Sequence, residues 1–252
     1  MSLVSVSVNR NIAVFCAEAD AMEKARHWSE FLKAPLNPSS VEDFFFHFHV
    51  SSSSVFVRDL EKRTLEIDFD KNHLDYQRKG HRGKNELVAK ALGVAKGYHR
   101  ILDLSVGLAV DSVFLTQLGF QVTGVERSPV LYALLKEAFE RTQKDYLKSY
   151  NLVFSDSLKY LQEHRSSMEI DSIYFDPMYP HKKKSALPKQ EMMVFRDLVG
   201  HDDDAAEVLK EALACPVQRV VVKRPIHAEE LLPGVRHSYE GKVVRYDTYV
   251  VG

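Results

Sequence analysis

The run Tyr174-Phe175-Asp176-Pro177-Met178-Tyr179-Pro180-His181 holds the residue types best suited to chemistry. An apolar strand ends in an acid, a proline turn follows, and an aromatic residue sits at the turn's tip. Asp176 and the carbonyls of the turn at Pro177 can accept hydrogen bonds from the exocyclic amine of a base, and Tyr179 offers a flat face for the ring. Bases presented for chemistry are extruded, stacked on aromatics and read at their polar edges. Taken alone, D-P-x-Y is equally an ordinary strand-to-loop turn, since Asp and Pro are common turn residues. Its weight comes from the elements that must position it.

Upstream, His99-Arg100-Ile101-Leu102-Asp103-Leu104 reads as a buried strand. It gives way to a loop, Ser105-Val106-Gly107-Leu108-Ala109, and to an amphipathic helix start from Asp111 to Leu118, with Gly119 as its stop. Phe120 to Val125 forms a second strand ending in Glu126, 19 residues after Gly107, where an acid can grip the two ribose hydroxyls of an adenosine-type cofactor. Ser128-Pro129 opens the next helix, with Ser at N-cap and Pro at N1. A third strand, Asn151 to Phe154, ends at Ser155-Asp156-Ser157, where a polar side chain could meet an adenine amino group. The fourth, Ser172 to Phe175, delivers Asp176.

Polar residues thus stand at the carboxyl ends of four strands, where open α/β sheets bind ligands. Each acid alone reads as a helix cap or a surface charge; their common register argues against chance. There is no G-x-x-x-x-G-K-[ST], and the loop holds one glycine where G-x-G-x-x-G needs three. A loop that need not cradle a pyrophosphate fits S-adenosylmethionine better than NAD.

At 252 residues and 45% hydrophobic content the chain can bury a full core. Cys16 and Cys215 offer neither a disulfide framework nor zinc spacing and read as packing residues in a reducing compartment. The start alternates like a strand and lacks the apolar block of a signal peptide, and no segment approaches a transmembrane span. A cytoplasmic protein without a membrane or metal partner is expected.

A net charge of −1 argues against a bulk nucleic-acid binder of the basic-tail kind. Positive charge is local. Lys182, Lys183, Lys184 and Lys189 follow the candidate turn, Arg78 and Arg82 lie in a basic cluster just before the cofactor unit, and Lys223-Arg224-Pro225 ends a later strand. Lysine runs are commonly solvated surface, but these flank the place where a polyanion would lie, which points to phosphate contacts.

The remaining elements look structural. Ile12 to Phe15 is strand-like, Ala17 to Leu32 helical, and Phe44 to Val50 with Val55 to Arg58 a hairpin around four serines. Leu65 to Asp70 alternates as another strand. Residues 1–72 therefore read as a small α/β module and 73–252 as the main domain. His47 and His49 share a strand face without a third ligand, so a structural role is expected. His201-Asp202-Asp203-Asp204 reads as a helix N-terminus. Helices are expected from Lys189 to Leu198 and Asp203 to Ala214, a fifth strand from Arg219 to Lys223, and a terminal hairpin from Val235 to Val251 turned at Glu240-Gly241. Alternating strands and helices with an antiparallel end give a doubly wound sheet.

These residues resemble the ribosomal RNA small subunit methyltransferase J family from about Leu65 to the C-terminus. The resemblance is carried most specifically by Asp176-Pro177-Met178-Tyr179-Pro180-His181 with Lys184-Ser185-Ala186-Leu187, by Glu126-Arg127 and by Val220-Val221-Val222-Lys223-Arg224-Pro225. It implies a class I, Rossmann-like, mostly parallel seven-stranded sheet with an antiparallel C-terminal strand. The implied activity is S-adenosylmethionine-dependent methylation of a guanine N2 amine in 16S rRNA, on the rRNA or the small subunit. Cofactor contacts are implied at Asp111, Glu126, Arg127, Asp156, Ser157 and Asp176, beside the first strand and loop at Asp103, Gly107 and Val110. The chain departs from the family's A-T-A-G-L-G-R-D, having Ala109 for the second glycine and Val110 for the arginine. The alternatives are a non-catalytic rRNA-binding or assembly factor on the same scaffold, or another nucleic-acid amino-methyltransferase. Cofactor binding separates the non-catalytic factor from the lead.

Overall fold

The structure, a computed structural model, describes residues 11–71, 86–178, 190–200 and 202–251. In chain order its first elements are β1 (Ile12–Phe15), α1 (Met22–Leu32), β2 (Phe46–Val50), β3 (Val55–Asp59), β4 (Thr64–Glu66), α2 (Leu87–Leu92), β5 (Arg100–Asp103), α3 (Val110–Gln117) and β6 (Gln121–Glu126). There follow α4 (Pro129–Arg141), β7 (Asn151–Phe154), α5 (Ser157–His164), β8 (Ser172–Phe175), α6 (Gln190–Val199), α7 (Ala205–Leu213), β9 (Arg219–Pro225), β10 (His237–Glu240) and β11 (Val244–Val250).

The backbone groups into two compact units, neither continuous in sequence. Among the described residues, one holds 11–68, 128–141 and 190–200; the other holds 69–71, 86–127, 142–178 and 202–251. The expected boundary between residues 72 and 73 lies outside the described residues.

The first unit is built on a four-stranded sheet in the order β1-β2-β3-β4. β1 and β2 pair in parallel, and the hairpin expected around the serines pairs antiparallel as β2 and β3. The strand expected over 65–70 is cut short. β4 spans only Thr64–Glu66, although Ile67 and Phe69 remain buried. Asp68 between them is buried as well, so this stretch is enclosed without strand pairing. Trp28 of α1 donates its indole N–H to Glu137 of α4 at 2.6 Å, so α4 packs in this unit. His47 Nε2 lies 3.1 and 3.0 Å from the carbonyl oxygens of Val41 and Phe44, the structural role expected for it.

The second unit carries a seven-stranded sheet in the order β10-β11-β9-β8-β5-β6-β7. β5 to β9 run parallel, and β11 pairs antiparallel with β9. Its central strands are apolar on both faces, which is why they read as continuous hydrophobic runs. Ile173, Phe175, Val220 and Val222 face the core shared with α5 and α7; Tyr174 and Val221 face the opposite core with α2 and α3. β5 neighbours both β6 and β8, so strand order reverses at the carboxyl ends of β5 and β8. Asp103 and Asp176 stand at that switch point, where doubly wound sheets hold ligands.

Candidate active site

The loop after β5 is organised by two acids. Asp103, 1% exposed, accepts the Ser105 N–H at 2.9 Å and the Ser112 hydroxyl at 2.5 Å. Burial pushes its carboxyl up to about 7, against the pull of those two bonds. Tyr150 extends the chain by donating to Ser112 at 2.9 Å. A Cβ on Gly124 would lie 1.9 Å from the Tyr150 oxygen and 2.5 Å from Val106, so the second strand needs glycine here. Glu126, at the end of β6, accepts the Gly107 N–H at 2.9 Å. Gly107 and Ala109 both have left-handed backbones, with φ of 56° and 58°; glycine tolerates this freely and alanine does not. The loop closes nonetheless, with the Ala109 N–H on the Val106 carbonyl at 2.8 Å.

The acid of the proline turn is tied into a charged cluster. The Asp176 N–H donates to Ser105 Oγ at 2.7 Å, fixing the start of the turn on the first loop. Lys223 of β9 donates to Asp176 Oδ2 at 2.8 Å and to Asp111 Oδ2 at 2.7 Å. Tyr174 donates to the same Asp111 oxygen at 2.8 Å. Lys223 reaches this cluster because it is in phase with Val221, on the α3 side of the sheet. Burial pushes the Asp176 carboxyl up to about 6, and Lys223 keeps it from going further. Burial disfavours the Lys223 charge, but Asp111 and Asp176 offset this and hold its pKa above the ordinary range. Lys223, expected on phosphate, is therefore internal to the cluster. Arg224, also expected on phosphate, is 7% exposed and donates to the Glu229 carbonyl.

A third network escapes sequence reasoning. Arg127 donates to Asp204 at 2.9 Å and to Asp202, and Asp202 accepts the Met178 N–H at 2.6 Å. The acidic run before α7 is thus more than a helix N-terminus. Asp156 takes the cap role at α5, accepting the Lys159 N–H at 3.1 Å. Ser157 donates to the Leu104 carbonyl at 2.6 Å. Val110 begins α3, and Pro177 is buried. Tyr179, Arg78, Arg82, Lys182, Lys183, Lys184 and Lys189 lie outside the described residues.

Residues 33–251 match the SAM-dependent methyltransferase family. A ribosomal RNA small subunit methyltransferase J from Bdellovibrio bacteriovorus is 73% identical, across 99% of this chain and 100% of that protein. The chain belongs to the ribosomal RNA small subunit methyltransferase J family. The family member from Pseudomonas aeruginosa is 38% identical over 92% of this chain and 91% of its own. The crystal structure of a SAM-dependent methyltransferase from Neisseria gonorrhoeae superposes with a TM-score of 0.72 at 28% identity, covering 95% and 96% of the two chains. The chain is an S-adenosylmethionine-dependent methyltransferase of the Rossmann-like class.

The residues present suit that cofactor. Asp111, Glu126, Asp156 and Asp176 set carboxylates at or just beyond the carboxyl ends of the parallel strands or on the helix behind them. Such a rim would repel a pyrophosphate and favours a ligand carrying a sulfonium charge. A ribose diol needs an acceptor, and Glu126 carries a carboxylate at the end of β6. Among the described residues no group of three or more His, Cys, Asp or Glu is arranged to hold a metal, and no helix is long and apolar enough to cross a membrane.

Proposed function

We propose that this chain methylates the exocyclic N2 amine of a guanine in 16S rRNA, in the cytoplasm. The family membership supports the substrate, and one observation supports the chemistry. Asp176 stands at the topological switch point with one carboxylate oxygen on Lys223 and its backbone fixed to Ser105.

S-adenosylmethionine supplies an electrophilic methyl group when bound. Glu126 would take the ribose, while Asp156 and Ser157 border the adenine side; Arg127, Asp103, Gly107, Val110 and Asp111 shape the wall behind. Guanine N2 is a weak nucleophile because its lone pair is delocalised into the ring. Asp176 orients it. With Oδ2 on Lys223, Oδ1 would accept one amine N–H and the Pro177 carbonyl the other. Asp176 would take the proton that N2 sheds on gaining the methyl group, whose bonding pair to sulfur would stay behind on a neutral thioether. Tyr179 would stack on the extruded base. Holding the reactants in line can supply several kcal/mol, up to roughly 7–11 in well-oriented models. Arg78, Arg82, Lys182, Lys183, Lys184 and Lys189 would hold phosphates, with residues 73–252 as the catalytic domain.

Incubating the protein with S-adenosylmethionine and undermethylated 16S rRNA tests the reading. Appearance of N2-methylguanine in the digested RNA is expected; its absence, on free RNA and assembled subunits alike, would remove it.

A further inference from the structure

We propose that Asp202 is a positioning residue that sets the Asp176-Pro177-Met178 turn for methyl transfer by latching it to Arg127. This rests on the function proposed above. Asp202 and Met178 exchange bonds in both directions: the Met178 N–H donates to Asp202 Oδ2 at 2.6 Å, and the Asp202 N–H faces the Met178 carbonyl at 3.5 Å. The other carboxylate oxygen accepts from Arg127, whose second terminal nitrogen is held by Asp204. The Asp202 side chain is 13% exposed, so these bonds form largely out of water.

The latch has rigid mounts. Arg127 follows Glu126 directly at the end of β6. Asp202 stands three residues before α7, whose Val208, Leu209 and Ala212 are buried in the core beneath β8 and β9. The turn is therefore held at both ends, at Asp176 by Ser105 and Lys223 and at Met178 by Asp202. The Pro177 carbonyl, one of the two acceptors for the guanine amine, lies in the peptide between these anchors. Its direction is fixed only while both hold. The residue after the ribose-gripping acid is thereby joined to the turn that receives the base.

Hydrogen exchange at the Met178 amide, read on the resting protein, tests the latch without any catalysis. Losing a hydrogen bond to a charged acceptor costs about 1.5–3 kcal/mol, so Asp202→Ala should speed exchange by about tenfold or more. Asp202→Asn, whose amide oxygen can still accept, should keep part of the protection. Exposed Asp203→Ala serves as control and should change nothing. In methyl transfer, Asp202→Ala should lower kcat by about 10²-fold, the effect of a misplacement near 1 Å, with cofactor affinity and the KM for RNA little changed. Asp202→Asn should recover part of the rate. Unchanged exchange in Asp202→Ala would overturn the latch, and faster exchange with unaltered kcat would overturn its positioning role. Failure of the proposed activity itself is distinguishable: wild type would then transfer no methyl group while the Met178 response remained.

Discussion

The ammonium of Lys223 lies 2.8 Å from Oδ2 of Asp176 and 2.7 Å from Oδ2 of Asp111, a single cation shared by two acids at the switch point of the sheet. It favours the ionised form of Asp176, the proposed acceptor of the guanine amine, in a setting where burial favours the neutral form. The wild-type rate should therefore fall as pH drops through about 6, where Asp176 takes up a proton. In Lys223→Met the carboxyl loses its nearest cation and keeps Asp111, Asp202, Asp103 and Tyr174 as neighbours, so that limb should move to higher pH by about a unit or more. pH–rate profiles of the two proteins check this, and coincident limbs would contradict it.

Ala109 carries a left-handed backbone at φ 58° while fully buried. Left-handed alanine costs about 1–2 kcal/mol, and glycine loses about 0.4–1 kcal/mol more on folding. Ala109→Gly should thus stabilise the protein by about 0.5–1 kcal/mol in denaturant unfolding, with cofactor bound at least as tightly. A destabilised variant would mean that the alanine methyl group packs more favourably than its backbone is strained.

Burial pushes the Asp103 carboxyl up to about 7, against an ordinary value of 3.8. A carboxyl raised on folding binds its proton more tightly in the native state, so its ionisation erodes stability as pH rises from about 4 to about 7. Asn cannot ionise. The stability of wild type relative to Asp103→Asn should decline across that window and level off above it, as read from urea midpoints at several pH values. A flat difference would show that Ser105 and Ser112 stabilise the ionised form as well as water does.

Lys182, Lys183 and Lys184 follow the turn in sequence. Replacing all three with Ala should weaken RNA binding and lower the slope of log affinity against log salt by about 2, at roughly 0.7–0.9 per phosphate contact. An unchanged slope would return them to ordinary solvated surface.

Much of this site is legible in the sequence because its signals are local. Each parallel strand is an apolar run that stops at a polar residue, so Asp103, Glu126, Asp156 and Asp176 could be placed at strand ends without a structure. Partnerships across the fold are not local. Lys223 reads as part of a basic cluster, and only its phase with Val221 in a strand buried on both faces hints that it turns inward towards Asp111. Asp202 reads as a helix-start acid; the surplus of three acids before one helix was the available signal. The 65–70 alternation misled because Ile67, Asp68 and Phe69 stay buried where pairing ends at Glu66. The parallel pairing of β1 with β2, and the packing of α4 with α1, depend on residues far apart in the chain.

The most direct test is tritium transfer from labelled S-adenosylmethionine to 30S subunits and to naked 16S rRNA lacking the modification, with Asp176→Ala beside wild type. Label is expected in guanine N2 with wild type, on at least one of the two substrates. None is expected with Asp176→Ala, although that variant still binds RNA. Absence of label with wild type on both substrates would contradict the account, as would near-normal turnover by Asp176→Ala.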